Sequence, residues 1–453
     1  MHRKLLQLVA IASLFAAAAH ADDLVDLQRS CIERGNFHKG VHWLEECVQE
    51  LFTMSPVHVT MTSIAPGAGI GAFGPGLAKT QRIYHWDFVL TGTAAVSDDG
   101  SYVTAAQITF GLPPATFWRT HPDCLSSARE KYGVYQVQRP PGEDPLDSKT
   151  SVTLGYRRFD AREQDFYGLG PNSVLAGHAG YGLLLNETYL RIDNPLSVWS
   201  SVGFNLSFLQ PRVTSTVNTS IPQLRDAYNS TDTPGLNSRE DYMRYEPYVQ
   251  FRFPAKRSLF TTLRAGYAFY ENLGTSAFSF QRLSVASSTF IPLRVPSRGT
   301  SDHRHWIQNA VCPSMRSAKR CSLGDLKLVG VVALAYKGAA SQVPFYFDQT
   351  LGGADISGND TLRGFNDYRF RAPSSLLFQA EYRHKIWGPL GLLAFYDLGK
   401  VALLPSDLSL DHLRHDIGLG AYLRIGNREV IRAYVGFGTG EPYRIKPKIP
   451  VSF

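Results

Sequence analysis

Beyond its first 21 residues the chain has no uninterrupted apolar run of roughly 18 residues or more, which excludes membrane-spanning helices. Cysteine is scarce, with five in 453 residues. Cys31 and Cys47 share one segment, Cys312 and Cys321 another, and Cys124 stands alone. Neither pair has CxxC spacing, which argues against a redox motif, and a zinc site would need a distant histidine. The simplest pairing for an exported chain is two local disulfides, Cys31–Cys47 and Cys312–Cys321, although five cysteines allow others. Charged residues make up only 19%, and the net charge of +7 is too dispersed to argue for nucleic acid as a partner. GxSxG and HExxH are absent, and no pair of acids stands out for glycosidase chemistry. No catalytic residue, cofactor or metal is therefore expected. A Ser–His pair on a barrel exterior leaves no motif, so a membrane-embedded hydrolase stays open as the weaker alternative.

What is present points to export and to strands. Arg3 and Lys4, an apolar stretch and Ala19-His20-Ala21 read as a signal peptide over 1–21, leaving 432 residues (453 − 21). Hydrophobic residues at 44%, aromatics at 12% and 39 glycines fit a closed β-barrel in an outer membrane, with a secreted β-rich enzyme as the competing class. Residues 22–55 carry a helical period: Leu24, Leu27 and Cys31, then Trp43, Leu44, Cys47, Val48 and Leu51, with Gly35-Asn36 as a turn between. This predicts a short helical hairpin. Residues 56–76 are rich in Gly and Pro and read as a linker or barrel entry, with the barrel itself over 77–453. Gly69 to Gly74 form a formal GxGxxG, but Pro75 and Gly76 stand where a dinucleotide-binding helix would begin. His303 and His305, or His412 and His415, have ligand-like spacing without a further ligand nearby, and read as wet loop residues.

From about residue 80 the period is two. Trp86 to Ser97 and Tyr102 to Phe110 flank the turn Asp98-Asp99-Gly100. In Tyr242 to Phe253, Met243, Tyr245, Val249, Phe251 and Phe253 oppose Arg244, Glu246, Gln250 and Arg252. In Leu376 to Ile386, Phe378, Ala380, Tyr382 and Ile386 oppose Gln379, Glu381, Arg383 and Lys385. Alternation alone fits a soluble sandwich with charges in water as well as a membrane barrel with charges in a wet lumen. Two features favour the barrel: no linker divides the long β region, and apolar residues recur at every second position back from the terminal Phe453.

The last hundred residues carry a resemblance. Thr361-Leu362-Arg363-Gly364-Phe365 is followed by Glu381-Tyr382-Arg383, then Phe395-Tyr396-Asp397-Leu398-Gly399, and finally Phe453. This ordered set resembles the C-terminal barrel of the BamA/TamA superfamily, the bacterial surface antigen family. Asp165 to Pro171 also looks like a segment seen in members with short N-termini. The resemblance implies a 16-stranded outer-membrane barrel and an RGF loop, at about 340–373, tucked into it. It implies that Arg363 meets Asp397, with Gly364, Phe365 and Gly399 part of the same lock and Glu381 and Arg383 as network partners. The hairpin lacks the pattern of a POTRA domain, so the chain looks like a member without them. Implied partners are outer-membrane lipid, client outer-membrane or secreted proteins, or a periplasmic partner. The implied work is protein insertion, translocation or outer-membrane biogenesis, without catalysis; a passive channel is the alternative.

Overall fold

A computed structural model describes residues 57–62, 72–83, 86–111, 150–197, 199–254, 260–296, 320–356, 358–387, 390–425 and 428–448. The expected signal peptide, the helical hairpin, Cys31, Cys47, Cys124, Cys312, His303, His305 and Phe453 lie outside these residues. Cys321 falls in a strand, opposite Val295.

The strands are β1 Val57–Thr62, β2 Ala72–Ile83, β3 Trp86–Ser97, β4 Tyr102–Gly111, β5 Ser151–Phe166, β6 Ala179–Ser197, β7 Ser200–Ser215, β8 Tyr242–Pro254 and β9 Phe260–Asn272. They continue with β10 Phe280–Pro296, β11 Arg320–Lys337, β12 Gln349–Leu351, β13 Phe370–Ala372, β14 Ser374–Trp387, β15 Leu390–Ala402, β16 Arg414–Ile425, β17 Arg428–Gly438 and β18 Arg444–Lys448. Sixteen of them form one antiparallel sheet in which every strand pairs with its neighbours in sequence; β12 and β13 stand apart as a small hairpin inside the β11–β14 connection. Such a meander needs only local connections, which the turn signals supply: Gly100, at φ +78, closes the β3–β4 hairpin where Asp98-Asp99-Gly100 calls for a turn.

The described sheet begins at Val57, ahead of residue 77, because both described parts of the Gly/Pro-rich stretch pair: β1 lies against β2, with Val59 opposite Pro75 and Thr60 opposite Gly74. Gly74 is required there, since a Cβ would fall 1.8 Å from the Ala94 carbonyl oxygen of β3. The formal GxGxxG thus ends in strand β2, with no helix after it to receive a pyrophosphate.

The alternating faces are sorted in one direction. Charged and polar residues at every second position are buried, among them Glu187, Asn205, Ser207, Glu381, Arg383, Asp397 and Arg432. Their apolar neighbours are exposed, including Val249, Phe251, Phe253, Phe378, Leu392, Ile417 and Leu419. A protein folding around an apolar core in water would sort them the other way. The sheet must also be strongly curved with the polar face inside, because the β11–β14 connection touches both of its halves. Phe345 meets Phe166 of β5 and Tyr181 of β6, with ring centroids 5.7 and 5.1 Å apart. Phe347 meets Tyr242 of β8 at 5.0 Å and Tyr270 of β9 at 5.2 Å. The same connection is ion-paired to β14, β15, β17 and β18.

Candidate functional site

The β11–β14 connection, residues 338–373, lies in the lumen and is held there by contacts of three kinds. Its first anchor is aromatic. Phe345-Tyr346-Phe347 form one 3-10 turn whose rings insert among Phe166, Tyr181, Tyr242, Tyr270 and Phe280. Arg371 of β13 donates from Nη1 to the Phe345 carbonyl at 2.9 Å and lies over the rings of Phe166, Tyr181 and Tyr368. Burial pushes the Asp348 carboxyl, next along this turn, well above its ordinary range despite Arg371 and Arg282 nearby.

The second anchor is ionic. Arg363 is 2% exposed and grips Asp397 of β15 in a bidentate pair, Nε to Oδ2 and Nη2 to Oδ1, both 2.8 Å. Its backbone N–H also donates to Asp397 Oδ2 at 3.3 Å, and its guanidinium sits 3.8 Å from the centroid of the Phe395 ring. Its third nitrogen, Nη1, donates to Glu381 of β14. From Glu381 the network runs to Arg383, to Glu429 and Arg432 of β17, to Asp360 of the loop and to Lys448 of β18. Four cations thus meet four carboxylates in this network, and Lys327 of β11 lies opposite Glu381 on the neighbouring strand.

Between these ionic contacts the loop lies directly on the wall. A Cβ on Gly364 would fall 2.6 Å from Asp416 Cβ of β16 and 2.6 Å from the Gly438 nitrogen of β17. Gly436 and Gly438 supply the matching gap on the strand side, where a Cβ would meet the Gly364 backbone within 3.0 Å. Phe365 is fully buried against Leu351, Leu362, Phe370, Ala372, Leu377 and Val401, and Gly399 leaves room for Leu351 and Leu362. The residues Arg363, Gly364, Phe365, Asp397, Gly399, Glu381 and Arg383 are therefore brought together at one place.

The third set of contacts comes from the Asp165 to Pro171 segment, which turns through Gly168 and Gly170 at φ +98 and +93. Gly170 N–H donates to the Arg371 carbonyl at 2.7 Å. Beyond it, Ser173 accepts from Arg369, which also pairs with Glu441 in the β17–β18 turn. Arg369 so links rim loops from the two halves of the sheet.

Sequence reading missed Glu429, Arg432, Asp360, Asp367, Lys446 and Lys448. Glu429 and Arg432 are three apart, which on a regular strand puts them on opposite faces. A register shift in the β16–β17 pairing, where Arg424 faces Glu429 and Leu423 faces Ile431, brings both carboxylate and guanidinium inside. Asp360 lies in a turn whose direction no periodicity predicts. His412 and His415 lie exposed at the rim, and among the described residues no group of His, Cys, Asp or Glu could hold a metal. His178 is paired with Asp165 at 2.8 Å and stacked on Tyr167, while the nearby Ser173 engages Arg369.

A curved antiparallel sheet with exposed apolar side chains outside, buried charges inside and a loop seated in its lumen is a membrane-spanning β-barrel of the bacterial outer-membrane class. No family model and no curated protein matches the chain. Among solved structures it is similar to BamA from Haemophilus ducreyi lacking POTRA domains 1–3, at TM-score 0.48 and 10% identity over 86% of this chain and 68% of that one. It is similar to CdiB from Acinetobacter baumannii at TM-score 0.45 and 11% identity, over 84% of this chain and 55% of that one. For CdiB from Escherichia coli the values are 0.45 and 12%, over 87% and 61%. The chain spans less than two thirds of either CdiB chain.

Proposed function

We propose that this barrel works, without catalysis, in protein insertion or translocation at the outer membrane, with lipid and a client or periplasmic protein as partners. The observation that carries the reading is the loop: an ion-pair network centred on the buried Arg363 fixes it against β14 to β18, where Arg363 and Asp397 act as its lock. A barrel serving only as a pore has no use for so exacting a plug. A second observation agrees. Among the described residues β1 pairs only with β2, and β18, five residues long, pairs only with β17. Pro447 removes a ladder donor from β18. A seam of this kind can open towards lipid.

The passive channel draws support from the opposite wall, where Arg157, Glu187, Arg244, Glu246 and Arg264 line the lumen on β5 to β9. Conductance in planar bilayers separates the two. The plugged barrel passes little current until Arg363→Ala releases the loop. Steady current in the wild type, unaltered by Arg363→Ala, favours the channel. If protein is inserted or translocated through the seam, a cysteine at Arg444 joined to one on β1 should abolish the chain's support of outer-membrane protein assembly in cells. A complete crosslink without effect on it removes the seam from the mechanism.

A further inference from the structure

The terminal strand of the described sheet is held by more than its neighbour. Among the described residues β18 pairs with β17 over Arg444 to Lys448, and its Ile445 and Pro447 point outward. The inward residues Lys446 and Lys448 both reach across to the loop. Lys446 Nζ is ion-paired with Asp367. Lys448 Nζ donates to Asp360 Oδ1 and to the Gly358 carbonyl, each at 2.6 Å. Asp360 also accepts from Arg432 at 2.9 Å, and Arg432 shares Glu381 with Arg363. An unbroken chain of ion pairs therefore joins the loop's deepest anchor to the last strand.

We propose that the loop is the clamp of β18: Asp360 and Asp367 hold the strand through Lys448 and Lys446, so that unseating Arg363 loosens the sheet's edge. The short ladder makes this coupling effective, because a strand with few main-chain bonds depends on whatever side-chain contacts it has. The inference deepens the seam reading above and rests on it for its biological use, but the coupling itself is a property of the fold and is tested apart from function.

Amide hydrogen exchange in the membrane-embedded full chain reads it directly. Lys446→Ala with Lys448→Ala should speed exchange in 444–448 by tenfold or more while leaving β15 and β16 protected. Arg363→Ala should speed the same segment, although it touches neither lysine. Because Arg363→Ala can disturb folding, Asp360→Asn with Asp367→Asn is the second route to the same loss, and Arg363→Lys a milder third. Unchanged protection of 444–448 in the lysine variant overturns the clamp. Loosening in the lysine variant but not on unseating Arg363 overturns the coupling. Either outcome leaves the conductance and crosslinking results, and so the proposed function, standing on their own.

Discussion

Arg363 is the residue on which most of the loop's contacts converge. Burying a guanidinium costs several kcal/mol unless its hydrogen bonds are made, and here Asp397 and Glu381 accept from all three of its side-chain nitrogens. Removing one partner leaves the other as an uncompensated buried charge. Arg363→Ala and Asp397→Ala should therefore each cost about 3–5 kcal/mol, while the double variant costs much less than their sum. Heat stability in a double-mutant cycle measures this, and additivity would mean that the two do not act as a unit. Gly364 is a second sensitive position. Alanine there puts a methyl group into β16 and β17, so Gly364→Ala should lift the loop from the wall at a cost of about 1–3 kcal/mol. Limited proteolysis of the 338–373 connection reports the change; unaltered resistance would show that the wall can yield.

At the scale of elements, the loop's own turn carries a pH dependence. Asp360 is half-buried, which opposes its charge, but Lys448 and Arg432 hold its carboxyl down to about 2. A folded value below the unfolded one of roughly 4 means that its stabilisation is complete above pH 4. It fades as pH falls from there through about 2. Loop seating in the wild type should lose about 2 kcal/mol over this interval relative to Asp360→Asn. Proteolytic protection of the loop as a function of pH gives the comparison, and parallel profiles for the two proteins would count against the pairing. The strands show a related dependence on close fit. Gly155, Gly203 and Gly391 lie directly across from Tyr189, Tyr248 and Tyr422, and a Cβ on any of them would fall within 2.4 Å of the tyrosine ring. These rings lie flat on a neighbouring strand that lacks a side chain. The period of two places each tyrosine on the inner face, but which glycine lies opposite depends on register.

For the whole molecule, the exposed apolar face is the decisive property. Leu419, in the middle of β16, is 65% exposed. In water its replacement by arginine would cost next to nothing, whereas in a bilayer it should cost about 2–4 kcal/mol. Folding of Leu419→Arg into lipid vesicles, compared with Glu or Gln at the same site, measures the difference, and an unchanged folding free energy would argue against lipid at this face. The intact barrel should also migrate faster on gels before boiling than after.

The sequence by itself determined the strands, their alternation and the turns between many of them, since these follow from side-chain period and from local residues such as Asp98-Asp99-Gly100. It also placed Asp397 and Glu381 on the polar face of their strands, and the resemblance around Arg363-Gly364-Phe365 pointed to their meeting. Whether that polar face turned to water or to a lumen was decided only in three dimensions, because alternation is symmetric between the two faces and only curvature of the sheet distinguishes them. The β1–β2 pairing was hidden for a related reason: glycine and proline read as breakers until a neighbouring strand is close enough to need the missing Cβ. Glu429, Arg432, Asp360 and Lys448 joined the site through a bulge, a turn and a terminal strand brought near by the sheet's curvature. Contacts of that kind depend on distances between residues far apart in the chain, and no local pattern encodes them.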